Sequence, residues 1–567
     1  MLNNKKSGLK ILLFKKLFVH LHCKSKSQKN MEGNEFLKHV ENSTYTENGA
    51  VAVKSTLSTF ADQFGLAGNY RGRNLEDVFA DMEKLWDDDS TMTMRFIFYL
   101  RAVTRKTRVN EDYTTSSVVK GQGSRDEVFK RLLWVAKYHP ESFYKNIPFL
   151  PVVGSWKDVW QLLFYDVNLG VNAIDHEAMF EVIKVFLKSE INLDLIKKYL
   201  PRIRSTRKCK TDWAIITNSL AKELAKYLGL SYADYNHLKS SGKAHDFQKA
   251  ICSGKYDAIE WNKVPGKALN LLANGRFIDK HGLTDEFTKW ILSTDKVNFT
   301  GYVYELFKKA YENISHGKFV GPLYRKHVLD KQFDNLVEKA STDGAINGNV
   351  WCALDTSWSM NALVSDNSNI SAYDVCISLG IFFSTLNKGA FHKHVIMFNS
   401  ESRTMGLHGT FTDMISQITS SSTAWGSTNF LSVVREIIRV RKNHPEIPLE
   451  DYPTTLLVVS DMQFDAGDRD EESNYQEMKK MLSEVFPQEF VDSMKFVWWN
   501  CISRVENFPA TIDDGGCYFL SGFDGSIIQL LLGGEQKDEI TGEKKTPTME
   551  ELIETALNQE VLNMVEA

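Results

Sequence analysis

The chain has 567 residues, 43% of them hydrophobic, 25% charged and 12% aromatic, with a formal net charge of −4. It is too long for one ordinary core and too apolar for extended disorder, so two or more domains are expected. The near-neutral balance excludes a globally basic nucleic-acid binder, and any basic surface must be local.

Residues 1–30 hold eight lysines and no Asp or Glu. Their apolar run is broken by Lys15 and Lys16, which argues against a secretory signal. Residues 1–44 are read as a basic, disordered extension. No stretch of about 20 apolar residues occurs, so no membrane span is expected. Seven cysteines without C-x-x-C spacing disfavour zinc and a disulfide framework. Reduced thiols fit an intracellular, cytoplasmic protein, with the nucleus also open.

From Val51 to Lys339 the apolar spacing is helical and no clean strand alternation is found. Phe79, Met82 and Leu85 form one stripe, and Val128, Leu132, Leu133 and Ala136 another. Met92–Val103 is read as one buried helix. Ser124, after Gly121-Gln122-Gly123, is read as the cap of the next. Successive helices of modest length predict an α-helical repeat, a HEAT-like solenoid or ring, over residues 45–345.

The pattern changes at Gly348. Strands are predicted at Val350–Asp355, His394–Phe398, Thr455–Val459, Phe496–Cys501 and Cys517–Leu520. Helices are predicted at Ser371–Leu386, Phe411–Ile418, Asn429–Arg441, Tyr475–Val485 and Gly525–Leu532. This alternation predicts a doubly wound, Rossmann-like α/β domain over 348–535 with a mainly parallel sheet. The charged tail, 536–567, ends in a predicted helix, Thr548–Val565.

Asp355-Thr356-Ser357-Trp358-Ser359 reads D-x-S-x-S directly after a predicted strand. One carboxylate and two hydroxyls are hard oxygen donors suited to Mg2+, or to another divalent cation such as Mn2+. Thr428 precedes a predicted helix, and Asp461 ends the most apolar strand. Carboxyl ends of neighbouring parallel strands can bring such groups to one place. The set Asp355, Ser357, Ser359, Thr428 and Asp461 resembles the metal-ion-dependent adhesion site of von Willebrand factor A domains. By that resemblance all five bind the ion, directly or through water, and a remaining position takes a partner's carboxylate. Trp358 and Met462 stand where that family commonly has glycine, and Trp358 is expected to crowd the open position.

Helical repeats followed by such a domain resemble the Ro autoantigen family, whose TROVE module binds small RNAs. The likeness is closer to a related family of unknown function in plants and large DNA viruses. It is carried by Arg95–Arg101, Gly121–Phe129, Gly154–Val159 and Asp461–Asp465. The resemblance implies RNA as a partner; DNA is not expected. The sequence offers three basic clusters for it: Arg101, Arg105, Lys106 and Arg108; Arg202, Arg204, Arg207, Lys208 and Lys210; and Arg325 with Lys326. No phosphate loop, H-E-x-x-H or G-x-S-x-G occurs, so no catalytic residue is assigned. The expected function is a non-enzymatic RNA-binding scaffold whose metal site docks a protein. The alternative is a protein–protein adaptor that docks an acidic residue and binds no RNA.

Overall fold

A computed structural model describes residues 41–567, apart from 71, 109–115, 189–192, 243–244, 343–348, 366–367, 422–425, 469–472, 503–505, 534–535, 538–543 and 546. Nearly all of the expected basic extension, residues 1–40, therefore lies outside the described residues.

The first half is mainly helical. Helix Leu75–Asp88 starts where the Asn74 side chain accepts the Asp77 N–H, and it buries Val78, Met82 and Leu85. That stripe packs on helix Asp126–Tyr138. Farther along, Asp158–Asn168 packs on Asp212–Tyr227, and Leu193–Tyr199 on Tyr232–Ser240. Gly266–Asn274 and Thr284–Ser293 both pack on the long helix Leu323–Thr342.

Three short antiparallel hairpins interrupt the expected all-helical run. They are β1 (Ser43–Tyr45) with β2 (Val51–Val53), β3 (Val103–Arg108) with β4 (Ser116–Gln122), and β5 (Ile314–Ser315) with β6 (Lys318–Phe319). The predicted helix Met92–Val103 thus ends at Arg101, and Val103 opens a strand. Gly121 is required in β4, since a Cβ there would lie 2.3 Å from the Tyr99 carbonyl oxygen. Ser124 caps nothing. The helix begins after Arg125, and the Ser124 hydroxyl has no hydrogen-bond partner among the described residues.

The second half holds a mixed six-stranded sheet made of β7 (Val350–Asp355), β8 (His394–Phe398), β9 (Ser402–Gly406), β10 (Thr455–Ser460), β11 (Lys495–Asn500) and β12 (Cys517–Ser521). Their order across the sheet is β12-β11-β10-β7-β8-β9. All neighbours run parallel except the β8–β9 pair. The antiparallel edge strand β9 escaped sequence reading because it is short and only half buried. Every residue of β7 and β10 is buried, as expected of strands covered on both faces. Helix Ala372–Leu386, opened by a reciprocal Ser371–Asp374 capping box, covers β7, β8 and β10.

The chain leaves β7 toward β8 and β9, then returns to lay β10 on the other side of β7. The winding reverses between these two strands, so the loops after β7 and β10 diverge and leave a crevice at their carboxyl ends.

The ends of the chain also pack on this sheet. Helix Thr59–Leu66 lies on β12, and Val53 and Phe508 exchange backbone hydrogen bonds of 2.8 Å. The predicted tail helix is Met549–Leu557, followed by a 3-10 turn at Leu562–Met564; it packs on Thr59–Leu66 and Ser90–Arg101. One apolar core runs from Ala50 to Val565, and a second lies within residues 250–328. Among the described residues no helix is long and apolar enough to cross a membrane.

Candidate metal centre

Asp355 is the last residue of β7, and Asp461 follows the last residue of β10. Register pairs Val459 with Leu354, which sets both carboxylates at the crevice. They are 0% and 2% exposed. The Ser357 N–H donates to Asp355 Oδ1 (2.8 Å), turning the chain back over the strand end. Ser357 Oγ and Ser359 Oγ lie 3.1 Å apart, and Ser359 hydrogen-bonds the Asp461 carboxylate. These four residues form one connected group.

Thr428 belongs to a separate loop, buried and tied to the same region. Its N–H donates to Asp465 Oδ1 (3.2 Å), and its carbonyl accepts the Asp465 N–H (2.8 Å). Asp465 lies four residues beyond Asp461, so these bonds tie the Thr428 loop to the loop after β10. On the other side, the Ser427 N–H donates to Ser400 Oγ (3.1 Å), and the Asn429 N–H to the Asn399 carbonyl (2.9 Å).

Two residues not singled out from sequence complete the centre. Ser460 Oγ donates to Asp355 Oδ2 (2.6 Å) and accepts the Met462 N–H (3.1 Å). Beneath them, the buried Cys376 thiol faces the carbonyls of Asp355 (3.5 Å) and Val459 (3.3 Å). Met462 adopts φ 63°, a left-handed conformation that disfavours any residue with a Cβ. That accounts for a glycine being the easier residue at this position.

Burial, and then the negative charge of Asp461, push the Asp355 carboxyl well above its ordinary range. Burial pushes Asp461 up as well, against the hydrogen bond from Ser359. Neither carboxylate pairs with a lysine, arginine or histidine among the described residues. Two buried carboxylates flanked by hydroxyls fit a hard divalent cation, whose charge would offset both burial and mutual repulsion. The donor set therefore suits Mg2+ or Mn2+. Trp358 opens the 3-10 turn between Ser357 and Ser359 and is 67% exposed.

The basic candidates separate into three fates. Arg101 is 1% exposed, and its guanidinium binds Asp158 Oδ2 at 2.5 and 2.7 Å. Arg325 is held by Asp279 (2.9 Å) and the Gly275 carbonyl (3.0 Å). Lys326 ties Asp330 and Asp413 (3.0 Å each) to Thr410 and Thr412 (2.6 and 2.7 Å). Each of these three links two packed elements within the protein. Arg105, Lys106 and Arg108 lie on β3, and their side chains lie outside the described residues.

Arg202, Arg204, Arg207, Lys208 and Lys210 are exposed on one loop and make no ion pair among the described residues. Lys157, Lys198 and Lys239 adjoin them. Burial, and then the charges of Arg202, Lys157 and Lys198, lower the Lys239 ammonium pKa. Lys157 Nζ lies 5.2 Å from the Tyr199 ring centre. Trp213, 42% exposed, meets Phe164 edge-on beside this cluster, with ring centres 4.2 Å apart and planes at 60°. Lys157, Lys198 and Lys239 come from three separate elements, so no run of sequence marked them.

Residues 350–566 match a family model described as a domain of unknown function, DUF7788, and residues 46–190 match another, DUF2828. The chain is also similar to an uncharacterized protein of Acanthamoeba polyphaga mimivirus. The two are 22% identical over 533 residues, covering 87% of this chain and 85% of that one. The expected likeness to a family of unknown function with members in large DNA viruses is met at that level.

Proposed function

We propose that the sheet half is a von Willebrand factor A-type domain that docks an acidic protein group through a bound Mg2+ or Mn2+. In this reading Asp355, Ser357, Ser359, Thr428 and Asp461 hold the ion. The observation that carries it is the pair of buried carboxylates, without a cationic partner among the described residues, at the reversal point of the sheet. The ion supplies an electrophilic position for a carboxylate. The chain's own residues orient it: Ser460 fixes Asp355, and Asp465 fixes the Thr428 loop. The exposed Trp358 at the rim suits the aromatic anchors that dominate protein interfaces.

The helical half is proposed as a TROVE-like, HEAT-like repeat that binds RNA, making the whole a non-enzymatic scaffold. Support comes from the exposed loop Arg202–Lys210, the adjoining lysines and the Trp213 ring, which offer cations for phosphates and a platform for a base. The adaptor reading without RNA is favoured by a different observation, the internal use of Arg101, Arg325 and Lys326.

Sequencing RNA that copurifies with the wild type and with an Asp355→Ala, Ser357→Ala double variant separates these readings. The scaffold reading expects the same RNA from both, and calorimetry with Mn2+ expects binding by the wild type alone. No RNA retained at low salt overturns the RNA assignment. Equal loss of RNA and ion overturns the division between the halves.

A further inference from the structure

A cavity of about 350 Å³ lies where the helical half meets the sheet half. Its apolar walls come from five separate pieces of chain. Val118 belongs to the β3–β4 hairpin, Phe299 to the turn before helix Val303–Tyr311, and Leu336 to helix Leu323–Thr342. Leu379 and Phe382 belong to helix Ala372–Leu386, which covers the sheet, and Phe523 follows β12. The size, the apolar lining and the place between two halves are those of a small-molecule site.

One part of the lining is negative. Asp524 stands between β12 and helix Ser526–Gly533. Its Oδ2 accepts the Thr104 hydroxyl (2.7 Å), and its Oδ1 accepts the Ser526 N–H (2.9 Å). Thr104 Oγ1 and Ser526 Oγ lie 3.1 Å apart beside it. All of these donors are neutral, and Asp524 makes no ion pair among the described residues. Burial raises its carboxyl above the ordinary range in spite of those hydrogen bonds. Lys339 also lines the cavity, where its Nζ donates to the Phe299 carbonyl (2.8 Å), so a cation gains from the Asp524 side alone. A carboxylate in an apolar enclosure opposes an anionic ligand and favours a cation that brings its own apolar body.

We propose that this cavity binds a small amine, with its protonated nitrogen on Asp524 and an apolar body against Leu336, Leu379 and Phe382. Such a ligand touches both halves of the chain, so its binding free energy adds to the stability of their junction. The site is separate from the metal centre and depends on neither the cation reading nor the RNA reading.

The test uses the full chain, with phenethylamine and its neutral counterpart phenethyl alcohol as probes in ligand-observed NMR titrations. Wild type is expected to bind the amine about tenfold tighter than the alcohol, in the range of one hydrogen bond to a charged group. Asp524→Asn, close to Asp in shape, should erase that preference and leave the alcohol unchanged. Leu336→Trp fills the cavity while keeping Asp524, and should abolish binding of both. Urea midpoints establish that each variant is folded. Equal affinity of the two probes for the wild type overturns the amine assignment without recourse to any variant. Equal weakening of both by Asp524→Asn reduces Asp524 to a structural support of the following helix and overturns the proposal. Amine binding that survives Leu336→Trp puts the amine outside the cavity, and failure of the wild type to bind either probe overturns the site itself.

Discussion

Ser460 Oγ donates to Asp355 Oδ2 across 2.6 Å, joining the ends of the two strands between which the sheet reverses. Asp355 is fully buried, so its second oxygen has no solvent to replace that donor. Ser460→Ala should cost about 1–3 kcal/mol of stability, the range for an orphaned buried polar group. It should also weaken Mn2+ binding, because Asp355 loses one of the contacts that aim it. Urea midpoints and Mn2+ calorimetry measure the two effects, and a change in neither refutes the orienting role.

Arg101 offers a test of burial against charge. Its pairing with Asp158 is enclosed on both sides, with side-chain exposures of 2% and 0%. Removing one member of such a pair typically costs about 3–5 kcal/mol. Arg101→Met should fall near the lower end, about 3 kcal/mol, since Arg125 still reaches Asp158 Oδ1 at 3.1 Å. Chemical denaturation should show the loss, while the folded protein keeps whatever RNA affinity the wild type has. A selective loss of RNA binding at unchanged stability would identify Arg101 as a contact.

These two residues also mark what could be read in advance. Runs such as Thr455–Val459 announce a strand covered on both faces, so five of the six sheet strands were legible, and D-x-S-x-S with Thr428 and Asp461 marked the candidate site. Ser460 was not legible, because its partner lies 105 positions away and is adjacent only through strand pairing. The burial of Arg101 and its pairing with Asp158 were not legible either, because a basic cluster in sequence does not reveal that its helix is enclosed. The β3–β4 hairpin was missed because its register shifts between Val103 and Arg105, which spoils strict alternation.

Glu436 couples the helix Phe430–Asn443 to edge strand β9 and should mark the acid limb of stability. Burial pushes its carboxyl up, but Arg439 (2.6 Å to each oxygen) and the Thr404 N–H (2.7 Å) outweigh that and hold it below its ordinary value. A depressed folded value stabilises above the unfolded pKa, about 4.3. That contribution fades as pH falls through the folded value. Glu436→Gln should therefore lower the urea midpoint at pH 7 and leave a smaller difference from wild type below about pH 4. A difference that does not shrink in acid rules out this carboxylate as the titrating group.

Met462 sets strain against packing. Its φ of 63° costs about 1–2 kcal/mol for a residue with a Cβ. Its side chain is 3% exposed, and truncating a buried Met costs about 2–5 kcal/mol. Packing wins, so Met462→Gly should destabilise the protein by about 1–3 kcal/mol although it relieves the backbone. Mn2+ affinity of the folded protein should hold, because the Met462 side chain is not among the five donors. Increased stability in the glycine variant would show that strain dominates.

The loop Arg202–Lys210 makes the sharpest claim on the helical half. Its five cations are exposed and make no ion pair among the described residues, so removing them breaks no salt bridge described there. Arg204 anchors the loop by its backbone N–H to Asn218 Oδ1 (2.7 Å), a bond that side-chain changes leave in place. Arg207→Ala with Lys208→Ala should therefore keep the unfolding midpoint within about 0.5 kcal/mol of wild type. If both cations meet phosphates, the slope of log affinity against log salt should flatten by about 1.4. Trp213→Ala should weaken binding by about 1–3 kcal/mol with the slope unchanged, as stacking on a base is not ionic. Titrations of single-stranded RNA at several salt concentrations read both. An unchanged slope in the double variant removes this loop from the RNA surface and leaves the adaptor reading in its place.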